Sequence, residues 1–318
     1  MGAGGYFQLS RLLVPAHELL CHDTSRREPN MCDEAKLKEW ASKQLTRRSF
    51  GIGSGAAALA ACAPAPGGAS EESSLTEQAV TFATPDGTMD AILYAGSKPA
   101  PAVIFWPDIA GIRDAKKMMA RRVAESGFTV LLVNPYYRDV AGQQFEDFAE
   151  FFGNDGFPKV APWREKFTAD AVMRDATAIV DYLDGREEVD TARGMGTQGY
   201  CMTGPFTLWT AASRPDRVKA AASFHGGGLV QPDNPKSPHR LMGGMSANLL
   251  LAIAQDDDAK APEEKDVLRE AAQTAGRNAM IEVFPGDHGW TVPDSPAYAK
   301  EPAEKAWANL QELYGKSL

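Results

Sequence analysis

The hexapeptide Gly199-Tyr200-Cys201-Met202-Thr203-Gly204 constrains the fold more than any other part of this chain. A short apolar segment, Gly194 to Gln198, precedes it, and a helix-like run, Pro205 to Ala212, follows. A strand, a sharp turn and a helix in that order lift the turn residue's side chain above the edge of a sheet. Small flanking residues let the chain bend there without clashing. This is the geometry of a nucleophile elbow, with cysteine where serine is more usual.

The rest of the chain reads as strands alternating with helices. Gln78 to Thr84 and Met89 to Tyr94, joined by Pro85-Asp86-Gly87, predict a β-hairpin. Pro101 to Trp106 is an unbroken apolar run, as a strand buried on both faces requires, and Phe128 to Val133 is the next buried strand. Further strands are expected over Val218–Phe224, Asn248–Ala254 and Met280–Phe284. Helices are expected over Asp114–Ser126, Thr168–Leu183, Pro262–Ala275 and Glu301–Tyr314. This alternation predicts an α/β fold, a mostly parallel doubly wound sheet with an N-terminal hairpin. Asp139 to Lys166 breaks the rhythm. Its aromatic residues, among them Phe145, Phe148, Phe151 and Trp163, suit either a wall over a site or a surface excursion with its own apolar cluster.

A nucleophile needs a base and an acid. Gly286-Asp287-His288-Gly289-Trp290 offers a histidine after the last strand, and the run Asp256-Asp257-Asp258 follows the strand before it. Asp257, three residues past the expected strand end at Ala254, is the better placed acid; Asp256 is the alternative and Asp258 a solvated neighbour. The order Cys, Asp, His is that of α/β-hydrolases, and ligands of parallel sheets bind beyond the carboxyl ends of strands. A thiolate so placed attacks an ester carbonyl and forms an acyl-enzyme. The oxyanion then needs two backbone N–H donors, and Met202 and Ile109 are the expected ones. His225 reads as a pocket wall. Cys201, His225 and His288 lack the paired short spacing of a zinc site, and the chemistry calls for no metal and no cofactor.

The first 62 residues read as an address. Thr46-Arg47-Arg48-Ser49-Phe50 resembles a twin-arginine export signal, and Leu59-Ala60-Ala61-Cys62 a lipobox. The expected organisation is an upstream preface over 1–30, with Met31 a more natural start than Met1, then an export signal over 31–62, a flexible linker over 63–75 and a catalytic domain over 76–318. Such a chain is periplasmic or membrane-anchored, touching the membrane only through a lipid at Cys62. Of the four cysteines, Cys21, Cys32, Cys62 and Cys201, only the last then keeps its thiol in the mature domain. A net charge of −9 argues against nucleic acid as a partner.

The cysteine elbow Gly199-Tyr200-Cys201-Met202, the segment Gln255-Asp256-Asp257, Asp287-His288-Gly289-Trp290 and the early loop Pro107-Asp108-Ile109-Ala110-Gly111 together resemble the dienelactone hydrolase family over roughly residues 76 to 316. The resemblance implies an α/β-hydrolase fold without a large separate cap and a triad of Cys201, His288 and Asp257. It implies that Asp108, where the family archetype has glutamate, modulates the thiol. Thr203 departs from the usual glycine, and a β-branched residue there either tightens helix–strand packing or displaces the elbow. Arg138 and Arg164 are candidates for the arginines with which the family grips a substrate carboxylate. The expected partner is a small ester or lactone met outside the cytoplasm rather than dienelactone, an intracellular intermediate. A non-catalytic binding protein of the same fold, and an acyltransferase using the same triad, are the alternatives.

Overall fold

The computed structural model describes residues 75–318. The expected export signal, Cys62 and all but the last residue of the expected linker lie outside the described residues. Eight strands form one sheet: β1 (Thr76–Thr84), β2 (Gly87–Ala95), β3 (Ala102–Trp106), β4 (Thr129–Val133), β5 (Met195–Tyr200), β6 (Val218–Phe224), β7 (Asn248–Ala254) and β8 (Ala279–Phe284). Their order across the sheet is β1-β2-β4-β3-β5-β6-β7-β8. The β1–β2 hairpin is antiparallel, β2 pairs antiparallel with β4, and every later pair is parallel. The expected α/β-hydrolase arrangement is the one the chain adopts.

The continuous apolar runs behave as their composition requires. All five residues of β3 and all five of β4 are buried, so helices must cover both faces. On one face lie α4 (Ala169–Asp184), α5 (Gly204–Ser213) and α7 (Glu264–Thr274), which supply Val172, Leu208 and Leu268 to a shared core. On the other lie α1 (Asp114–Glu125) and α8 (Lys300–Ser317), which supply Val123 and Leu310. The α4 helix starts where the Thr168 side chain accepts from Ala171 N (3.2 Å) and stops at Gly185.

Two segments differ from expectation. Residues 139–166 contain two short helices, α2 (Phe148–Gly153) and α3 (Gly156–Arg164). The Asp147 carboxylate caps α2 by accepting from Glu150 N (2.7 Å). The aspartates after β7 lie on a helix of six residues, α6 (Gln255–Lys260), for which no helix was expected.

The chain runs from β3 to β4 on one side and returns to place β5 on the other side of β3. The strand order therefore reverses between β3 and β5, and loops diverging there leave a crevice at the strands' carboxyl ends. Asp108 and Ile109 follow β3, and Cys201 is the first residue after β5.

Candidate active site

The β5 strand continues two residues beyond its expected end, so the turn falls on Cys201 itself. Cys201 has φ +56°, in the left-handed region that costs a side-chain-bearing residue about 1–3 kcal/mol. Close packing holds it there. A Cβ at Gly199 would lie 2.3 Å from Thr203 O, and one at Gly204 would lie 2.4 Å from the Gly226 Cα. Glycine is required at both places because backbone meets backbone.

Thr203 takes the first of its two alternatives. Its φ is −95°, which needs no glycine, and its Oγ1 accepts from Tyr200 N at 3.0 Å. The same hydroxyl lies 3.1 Å from the carbonyls of Trp106 and of Tyr200. It stitches the elbow to the end of β3 and does not displace it.

The three aspartates have three different tasks. Asp257 Oδ2 lies 2.6 Å from His288 Nδ1. Asp256 Oδ1 accepts from the backbone N of His288 (2.7 Å) and so anchors the loop that carries the imidazole. Asp258 pairs with Lys265 Nζ at 2.6 Å and is no mere solvated neighbour. His288 Nε2 is buried, and Cys201 and Asp257 are the groups that act on its imidazole. Burial alone would lower the His288 pKa. The charge and contact of Cys201, with the hydrogen bond to Asp257, outweigh it and hold the pKa well above the ordinary histidine value.

Ile109 and Met202 are buried in one cluster with Cys201, Tyr136 and Phe151. The Tyr136 hydroxyl donates to Ile109 O (2.7 Å) and touches Met202 Sδ (3.6 Å), joining the two residues expected to frame the oxyanion. Phe145, Phe148 and Val160 belong to this same cluster. Segment 139–166 thus packs its apolar side chains in one cluster with the cysteine.

Asp108 does not stand beside the site as a lone carboxylate. Arg113 donates to both its oxygens (2.7 and 3.0 Å), and Ala110 N donates to Oδ1 (3.0 Å). Lys116 Nζ forms an ion pair with Oδ2 at 2.9 Å. Burial would raise the Asp108 pKa, but Arg113 and Lys116 hold it well below the usual carboxylate range. Arg113 also grips Asp294 through Nε (2.7 Å) and Nη2 (2.9 Å), and Asp294 Oδ2 accepts from Phe148 N (3.0 Å). Two anions and two cations balance in this cluster. Lys116 completes it by lying 4.1 Å from the centroid of the Tyr200 ring. Sequence reasoning found Asp108 but missed Arg113, Lys116 and Asp294.

His225, expected as a pocket wall, packs against the Trp290 ring. It is fully buried, its Nε2 lies 2.9 Å from Thr291 Oγ1, and its ring meets that of His288 at 5.0 Å. Burial first, then the nearby charges of His288 and Lys116, push its pKa well below the ordinary value. Arg138 is engaged by Asp86 and Asp175, each at 2.7 Å. Arg164 ends α3 with its Nε buried and unbonded.

A strained cysteine after the central parallel strand, a histidine after the last strand and an aspartate linking to that histidine define a chain of the α/β-hydrolase class. The family model for the dienelactone hydrolase family matches residues 89–318. The chain belongs to that family and is by membership a carboxylic ester or lactone hydrolase. It is 27% identical over 235 residues to the protein named "Putative carboxymethylenebutenolidase" of Methylorubrum extorquens, covering 72% of this chain and 77% of that one. The Escherichia coli K12 protein of the same name is 26% identical over 219 residues, covering 68% and 77%. Among solved structures, the one titled "Putative Dienelactone Hydrolase" from Klebsiella pneumoniae superposes with TM-score 0.65 at 21% identity, over 76% of this chain and 99% of that one. The dienelactone hydrolase from Anabaena variabilis superposes with TM-score 0.57 at 14% identity, over 77% and 99%.

Proposed function

We propose that this chain hydrolyses a small carboxylic ester or lactone through an acyl-enzyme on Cys201. The observation that supports the reading is the 2.6 Å contact of Asp257 with His288 Nδ1, which leaves the opposite ring nitrogen for exchange with Cys201, a group that also acts on this imidazole. In the resting pair the proton sits on the imidazole and the sulfur is a thiolate. The thiolate adds to the substrate carbonyl, and the oxyanion is received by the backbone N–H groups of Met202 and Ile109. The imidazolium gives its proton to the leaving alkoxide. Neutral His288 then takes a proton from water, which attacks the thioester, and collapse restores the thiolate–imidazolium pair. Asp108 acts on the thiol through the field of its ion cluster, since cations hold both its oxygens.

A panel of activated esters and small lactones, run on wild type and Cys201→Ala in parallel, tests this reading. Turnover should vanish in the variant, and intact mass should show one acyl group on wild-type protein quenched during turnover of a slow ester. Wild-type rates in Cys201→Ala would overturn it.

We further propose that residues 31–62 direct export and that Cys62 carries a lipid, which places the substrate outside the cytoplasm. The support is the order and spacing of the twin arginines and the lipobox. Labelled palmitate should be incorporated by the full chain and not by Cys62→Ala. Incorporation by both would reject the anchor.

A further inference from the structure

Behind the elbow, on the face of the sheet covered by α1 and α8, lies a cavity of about 280 Å³ that the hydrolytic reading does not use. Its floor includes the rings of Tyr200 and Phe224 and the Thr291 side chain, all buried. Its walls include Met119 from α1 and Ala303 and Trp307 from α8. At its lip are Met118 and Tyr298, 53% and 39% exposed, two of the three exposed large apolar side chains among the described residues.

The lining states what the cavity accepts. An apolar cavity of about 150 Å³ admits benzene, so this one has room for one or two fused rings. Four aromatic rings and two thioethers contribute to its surface, and these favour flat, polarisable partners. Its charged groups are satisfied by each other. Arg122 pairs with Glu304 (2.6 Å) and lies 4.2 Å from the Trp307 ring centroid. Two buried hydroxyls of the floor are also engaged. Tyr200 Oη accepts from Gln198 Nε2 (2.7 Å), and Thr291 Oγ1 bonds His225 Nε2 (2.9 Å). An ionic ligand would find no charge left to answer it.

We propose that this cavity is a second, non-catalytic binding site for an uncharged aromatic molecule of one or two rings, and that its occupant acts on the reaction. Two floor residues connect it to the catalytic groups. Tyr200 immediately precedes Cys201, and its other ring contacts include Lys116 of the Asp108 cluster. Thr291 leads through His225 to the His288 ring. A ligand resting on Tyr200 and Thr291 therefore touches the supports of both the sulfur and the imidazole. The binding claim stands without the proposed acyl-enzyme chemistry; only the link to catalysis rests on it.

Indole is the probe. Protein whose Cys201 has been capped with iodoacetamide should bind one indole saturably by calorimetry, with perturbed Trp307 and Tyr298 resonances in NMR spectra. Ala303→Leu and Ala306→Leu each fill the cavity from α8 and should weaken binding at least tenfold, with folding of each checked by thermal unfolding. In uncapped enzyme, saturating indole should change kcat at least twofold with no compensating rise in KM. No saturable binding, or binding unchanged in a folded filling variant, overturns the site. Purely competitive inhibition places indole against the cysteine instead and equally overturns it. Binding with an unchanged rate overturns the link to catalysis. An enzyme inactive on every ester that still binds indole in the cavity would count against the hydrolytic reading alone.

Discussion

Asp294 holds Arg113 through both carboxylate oxygens, at 2.7 and 2.9 Å, while its Oδ2 also accepts from the backbone N of Phe148. One side chain from the histidine loop thus fastens the first turn of the aromatic wall and the loop that carries Ile109. Removing Asp294 leaves the cluster with one cation in excess although Asp108 still holds Arg113, and breaking a buried ion pair costs about 3–5 kcal/mol. Asp294 is itself partly exposed, so the lower end applies.

Asp294→Asn should therefore lower stability by about 3 kcal/mol in urea unfolding. The wall loosens while the triad stays in place. KM for a small ester should rise several-fold with kcat changing less. A fall in kcat alone, at unchanged KM, would contradict this division of labour.

Thr203 tests whether the elbow is built for this side chain. Thr203→Gly restores the residue usual in the family, yet removes the acceptor of Tyr200 N from a fully buried position. An orphaned buried donor costs about 1–3 kcal/mol, and glycine gains nothing at φ −95°. Thr203→Gly should be less stable than wild type by that amount, and Thr203→Ser should recover most of it. Equal midpoints for all three proteins in thermal unfolding would refute the role.

These residues also mark what sequence could and could not supply. The apolar run of β3, the apolar-rich β4, the glycines around Cys201 and the strand-end positions of Asp257 and His288 carry their structure locally, so periodicity and spacing suffice. The wall helices do not. The segment from Phe148 to Arg164 is interrupted by Gly153, Gly156, Pro158 and Pro162, so no continuous amphipathic stripe announces a helix. The ion cluster is harder still. Arg113-Asp114-Ala115-Lys116-Lys117 has the composition of a solvated helix start, and the partner that buries Arg113 lies 181 residues away. Only tertiary contact distinguishes the buried Lys116 from the partly exposed Lys117.

The His288 environment sets a pH profile. Burial opposes its charge, while the Cys201 sulfur and Asp257 favour it and win, so its pKa stands well above the ordinary 6.5. The proposed thiolate–imidazolium pair is lost as pH rises through that raised value. The basic limb of kcat/KM should therefore lie well above pH 6.5. Asp257→Asn removes one of the groups that raise the pKa and should move this limb down. It should also cut kcat by about 10²–10⁴-fold, as expected when the imidazole loses its orienting carboxylate. A basic limb identical in wild type and variant would show that Asp257 does not tune His288.

Glu264, at the start of α7, gives a stability counterpart. Burial pushes its pKa from 4.5 up to about 7, backbone N–H groups of Val230 and Leu229 pull it down, and the charge of Asp257 raises it further. The folded state therefore binds more protons than the unfolded one between pH 4.5 and 7, so this residue's contribution falls as pH rises through that window. The gap corresponds to roughly 3 kcal/mol as an upper bound. Glu264→Gln removes the ionisation and keeps an acceptor for the backbone donors. It should raise the unfolding midpoint at pH 8 and leave it nearly unchanged at pH 4.5. The same shift at both pH values would mean that the glutamine alters packing rather than proton linkage.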